Sequence, residues 1–129
     1  MKSKKGFTIL ELVIVAVFAS LLFILFFVQK SNLDALKRDE DRKTAINAMY
    51  YALEESFYKD NGYYPETISE ANIKVIDPAL WTDPQGFNLG DPLSSYVYEP
   101  ANCTNGHCKE YTLKATLEKE SAYIKTNRN

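Results

Sequence analysis

Lys4-Lys5-Gly6-Phe7-Thr8-Ile9-Leu10-Glu11-Leu12 opens a run that stays apolar to Val28. Lys2, Lys4 and Lys5 make the start basic, and Gly6 ends it. From Phe7 to Val28 the only polar residues are Thr8, Glu11 and Ser20. A helix over that stretch spans roughly 33 Å, enough for a bilayer core. The lysines before it put Met1 in the cytoplasm and the bulk of the chain outside. A cleaved secretory signal has a shorter apolar region ending in small residues. Here the run ends Leu22-Phe23-Ile24-Leu25-Phe26-Phe27-Val28-Gln29-Lys30, which offers no such site.

Glu11 is the single charge in the run. An acid at the centre of a span costs about 2.5–3.5 kcal/mol on insertion scales, and less near its end. Glu11 lies near the end, yet it still needs a partner. A plain membrane anchor explains the span and leaves Glu11 and the Gly6-Phe7 junction without a role.

Lys4-Lys5-Gly6 followed by Phe7-Thr8-Ile9-Leu10-Glu11-Leu12 resembles the class III signal of type IV prepilins and pseudopilins. The resemblance implies that a prepilin peptidase cuts between Gly6 and Phe7 and methylates the new Phe7 amine. It also implies that Glu11 meets the Phe7 ammonium of the next subunit during assembly. Paired charges in a membrane are tolerable where a lone one is expensive. The fold expected is α+β and type IV pilin-like: a long N-terminal helix packed on a small three-stranded antiparallel sheet. Residues 1–6 are then a leader peptide and 7–29 the transmembrane and filament-core helix. Residues 30–62 continue the helix as an amphipathic segment, and 63–129 form the C-terminal globular region.

Composition bounds the rest. With 129 residues and a membrane segment, the chain holds at most one small soluble domain. Its formal charge is −2, and loss of three lysines in the leader takes it to −5. A mildly acidic protein has no electrostatic reason to bind nucleic acid through its whole surface. Any such contact would come only through the assembled filament.

Ile46, Met49, Tyr50, Leu53 and Phe57 follow at spacings of three and four, with Leu33 and Leu36 continuing the face. No Gly or Pro interrupts residues 7–61, and Gly62 supplies the stop. The pattern predicts one helix of about fifty-five residues. Tyr58-Lys59-Asp60-Asn61-Gly62-Tyr63-Tyr64-Pro65 resembles the turn after the first helix of many pilins. Lys37 to Lys43 are seven consecutive charges, read as a solvated stretch of helix or as inter-subunit pairs. Glu40 is in reach of Lys43 or Lys37 across one turn.

Residues 65–95 read as a connector. Thr67-Ile68-Ser69-Glu70 has the capping-box pattern that opens a helix. Asp77-Pro78 reads as an N-cap with proline at the first helical position. Asp83-Pro84-Gln85-Gly86 and Leu89-Gly90-Asp91-Pro92 read as turns. They loosely resemble a pseudopilin element that binds Ca²⁺. Asp83 and Asp91 are hard oxygen donors, but two donors fall short of the six or more Ca²⁺ takes. No metal or cofactor is therefore expected.

Three strands are expected after that: one at Tyr96–Glu99, one at Tyr111–Leu117 and one at Ser121–Thr126 after a tight turn near Lys119-Glu120. Their apolar face has the second half of the helix, with Leu53 and Phe57, as its only adequate partner. Asn105-Gly106 is a two-residue hairpin signal. It sets Cys103 opposite Cys108 with Cα atoms roughly 4.5 Å apart, within reach of a disulfide. Zn²⁺ on Cys103, Cys108 and His107 is the alternative, and it lacks a fourth ligand.

The sequence shows one histidine, no phosphate-cradling glycine loop and no nucleophile beside a base, so no enzyme is expected. The resemblance implies a structural subunit of a type IV pilus. Such a subunit is inserted as a single-pass precursor, processed, then polymerised with copies of itself by the pilus assembly machinery into an extracellular filament. A type II secretion pseudopilin and a single-span protein that never polymerises are the alternatives.

Overall fold

A computed structural model describes residues 6–129. Lys2, Lys4, Lys5 and the leader up to residue 5 lie outside the described residues. The chain forms two compact units, one ending at Ala35 and one of Leu36–Asn129. Helix α1, Ile9–Ala52, contributes to both.

In the first unit every residue from Gly6 to Ser31 is exposed. The run is apolar on all sides, so no face is set aside for a core. Phe23 and Phe27 meet edge to face at 4.6 Å, one turn apart. The helix running from Ile9 is long and apolar enough, by length and composition, to cross a membrane.

In the second unit α1 passes into a π turn, Leu53–Phe57, and closes with α2, Tyr58–Asn61. Gly62 stops it as predicted, in the left-handed region at φ 76°, its N–H donating to the Tyr58 carbonyl at 2.7 Å. The π turn is not visible in the apolar spacing, because the residue it turns to the buried side beside Leu53 is the charged Glu54.

Four strands form one antiparallel sheet: β1, Tyr64–Pro65; β2, Tyr96–Thr104; β3, His107–Ala115; and β4, Tyr123–Thr126. Central β3 carries β2 along one side. It pairs with β1 at His107 and Cys108 and with β4 at Thr112 to Ala115. The Tyr111 N–H and carbonyl both meet Asn127. Its partner Pro100 therefore turns its missing donor to the open edge of β2, where a strand proline belongs.

The expected α+β layout is present, and it is consistent with a pilin-like fold. Ala45, Ile46, Met49 and Leu53 of the helix are buried with Tyr64, Tyr96, Cys108, Tyr111, Leu113 and Ala115 of the sheet. Ile68, Ile73, Ile76 and Trp81 of the connector complete the core.

Several expectations are corrected. The sheet has a fourth, two-residue strand, since Tyr64-Pro65 extends along β3 directly after the helix stop. Leu33 and Leu36 do not continue the buried face; they are 64% and 44% exposed. Thr67 to Glu70 opens no helix, because the Asn72 side chain takes the Ser69 N–H at 2.8 Å and donates to the Thr67 carbonyl at 2.6 Å. That closes a turn instead. The connection between β3 and β4 is a seven-residue loop over 116–122, not a tight turn. Asp39 accepts the Glu118 and Lys119 N–H groups at 2.8 and 2.9 Å, so these residues are held against the helix. Asp77-Pro78 behaves as read: Asp77 accepts the Ala79 N–H at 2.9 Å and caps the 3₁₀ turn Pro78–Trp81.

Candidate functional site: the helix start, with the buried polar groups of the second unit

Gly6, Phe7 and Glu11 stand together at the start of α1. Phe7 is 76% exposed. Glu11 takes the Thr8 N–H at 2.8 Å and the Thr8 hydroxyl at 3.1 Å, and its own N–H donates to Thr8 Oγ1 at 3.3 Å. This is a reciprocal capping box, satisfying two N–H groups that a helix start leaves without partners. The acid thus has a role inside one chain, which the anchor reading lacked. The box also fixes the carboxylate one residue from Phe7.

The seven charges from Lys37 to Lys43 divide in two. Asp39 and Arg42 are buried, at 1% exposure each. Arg42 donates to Asp39 at 2.9 Å, to Glu118 at 2.8 Å and to Ser95 Oγ at 3.2 Å. Arg38 grips Glu118 with two bonds of 2.8 Å. Glu40 pairs with Lys43 at 3.1 Å, and Lys43 reaches Glu120. The stretch is therefore partly an internal clamp rather than solvated helix throughout. Arg38 first, then Arg42, pull the Glu118 carboxyl down to about 2. Burial works to raise Asp39, but the N–H groups of Glu118 and Lys119 and the Arg42 guanidinium prevail and hold it below the usual range.

Glu54, on the π turn, is the second buried hub. It accepts the Tyr111 hydroxyl at 2.7 Å, the Tyr64 hydroxyl at 3.1 Å, the Arg128 N–H at 3.2 Å and the Asn129 amide at 3.1 Å. Burial and the Glu54 carboxylate both push the Tyr111 hydroxyl well above its ordinary value. Sequence reasoning missed Glu54, Asp39 and Arg42. A signal existed for Glu54: Tyr111 falls at an inward position of an alternating strand, and a buried hydroxyl requires a partner.

Asp83 and Asp91 are not brought together around a cation. Asp83 Oδ1 takes the Gln85 and Phe87 N–H groups at 2.9 and 3.0 Å. Its Oδ2 takes the Ser95 N–H and hydroxyl at 2.8 Å each. Asp91 is exposed in the turn closed by its own N–H to Asn88. Among the described residues no group of three or more His, Cys, Asp or Glu side chains is placed to hold a metal ion.

Cys103 and Cys108 are bridged, with Cα atoms 3.9 Å apart, and Thr104 pairs with His107 around Asn105-Gly106. The His107 ring stacks on Tyr63 at 3.7 Å.

Comparison with family models, with curated proteins and with solved structures gives no match for this chain.

Proposed function

We propose that the chain is a non-catalytic filament subunit of the type IV pilin kind. It enters the membrane as a single-pass precursor with Met1 cytoplasmic. A prepilin peptidase cuts between Gly6 and Phe7 and methylates the Phe7 amine. The assembly machinery then extracts the subunit and adds it to copies of itself in an extracellular filament. Nucleic acid contacts, where they exist, belong to the assembled filament.

The observation that carries this reading is the bare apolar helix. From Phe7 to Val28 the side chains are exposed on every face, and nothing in the first unit covers them. Such surface persists only in lipid or bundled with more of its kind. Apolar burial at about 25 cal/mol per Å² makes subunit association the largest stabilising term available, offset in part by lost translational freedom. Glu11 at the head of that helix supports a register-setting contact. Its carboxylate is the one charge in an otherwise apolar bundle.

The test is the N-terminus of the protein in surface filaments. Mass spectrometry should find Phe7 first, carrying one added methyl group. Gly6 has no side chain, which suits close backbone access by a peptidase. Gly6→Leu should therefore leave full-length precursor in the membrane. Filament protein that retains Met1 contradicts the assignment.

A further inference from the structure

The hairpin tip carries a further triplet that the filament reading does not use. Asn102-Cys103-Thr104 is Asn-x-Thr with x other than proline, the acceptor pattern for an N-linked sugar. All three residues are exposed. Ala101 pairs with Glu110 and Cys103 with Cys108, but Asn102 between them drops out of the pairing and takes φ 53°. Its side-chain amide reaches an exposed carboxylate, Glu110 Oε2, at 2.9 Å.

Asn102 also borders an open cavity of about 780 Å³. Tyr63 and His107 line it as a stacked pair, 3.7 Å between centroids and 22° between planes. Tyr58 adds a third ring, and Thr104 and Glu110 add polar groups. Aromatic walls with a few polar groups suit a ring that is apolar on one face and hydroxylated at its edge. A sugar is such a ring.

We propose that Asn102 is an N-glycosylation acceptor whose first sugar lies against Tyr63 and His107. The donor class is a lipid-linked diphospho-sugar. Asn102 Nδ2 attacks the anomeric carbon, and a C–N bond forms. The C–O bond to the diphosphate breaks, and the lipid diphosphate departs with the electron pair. The amide proton passes to a base of the transferring enzyme. Nothing is oxidised or reduced. The proposal rests on the exported placement of residues 36–129 in the filament reading.

The test uses the full chain isolated from the cells that naturally make it. Trypsin releases residues 75–109 in one peptide, since no Lys or Arg lies between Lys74 and Lys109. That peptide should carry the added mass of a sugar on Asn102. Asn102→Gln and Thr104→Ala should lose the added mass completely, and Thr104→Ser should keep it. Unmodified Asn102 in the natural protein overturns the proposal. In the same digest the mature chain gives a first peptide of residues 7–30 and the uncut precursor one of residues 6–30, so failure of the filament reading is seen separately. Enzymatic removal of the sugar should shift the NMR signals of the His107 ring, and unmoved signals overturn the seating.

Discussion

Glu54 receives the Tyr111 hydroxyl at 2.7 Å, across 57 residues of sequence. That bond joins the π turn of the helix to the centre of the sheet. The Tyr64 hydroxyl reaches the same carboxylate, so β1 is held as well. Glu54→Ala leaves two tyrosine hydroxyls without their acceptor in the core. A buried polar group left unpaired costs about 1–3 kcal/mol, so a loss of about 2–6 kcal/mol is expected for the two. Tyr111→Phe should cost less, since Glu54 keeps its other donors. Urea unfolding of a chain of residues 33–129 measures both.

Arg42 is buried between Asp39 and Glu118. Arg42→Ala would leave Asp39 buried without its counter-charge, a change that costs about 3–5 kcal/mol in comparable sites. Asp39→Asn combined with Arg42→Met should recover much of that loss. The two charges are then removed together, and the amide that replaces the carboxylate still accepts one N–H. Thermal unfolding of the single and double variants gives the answer.

Acid should loosen this clamp in a defined window. Glu118 is held down to about 2 from an ordinary value of 4.5, and Asp39 is also lowered. A depressed folded value means the contribution is fully present above the unfolded value. It is lost as pH falls toward the folded one. Stability of residues 33–129 should therefore decline between pH 4.5 and about 2. Arg38 is the largest cause at Glu118, so Arg38→Gln should flatten that decline. Urea midpoints measured across the pH range report the slope, and equal slopes for the two chains would contradict the assignment.

Much of the fold was legible because it rests on spacing. Ile46, Met49 and Leu53 sit at helical intervals and are fully buried. Tyr111, Leu113 and Ala115 alternate and are buried likewise. Asn105-Gly106 fixed the register of β2 on β3 down to Cys103 opposite Cys108. What spacing could not show is where polar groups meet. Asp39 and Arg42 look like members of a solvated run until the 116–122 loop folds onto them. Strand β1 was missed because two residues hold no alternation to read. Leu33 and Leu36 kept the helical interval, but periodicity does not show where the core ends. The helix start was legible as a motif, while the capping role of Glu11 appears only in its bonds to Thr8.

Glu11→Gln separates capping from charge. Glutamine keeps an acceptor for the Thr8 N–H, so the helix start stays closed. It brings no counter-charge to the Phe7 ammonium of a neighbour. Membrane insertion should be unchanged, and filament yield should fall about tenfold or more, since a loss of about 1.4 kcal/mol per contact is already a factor of ten. Quantified filaments from cells making the variant test this. Wild-type yield would refute the pairing.

The most direct measurement compares the mature chain from Phe7 with a chain of residues 33–129. The second unit has its own core, from Ala45 to Leu117, and should fold without the apolar helix. Light scattering across a concentration series, with electron microscopy of the same samples, reads the outcome. The mature chain should associate through its apolar helix as concentration rises, and residues 33–129 should keep a constant monomer mass. Filaments growing from residues 33–129 would show that the apolar helix is not the polymerising element, and would contradict it.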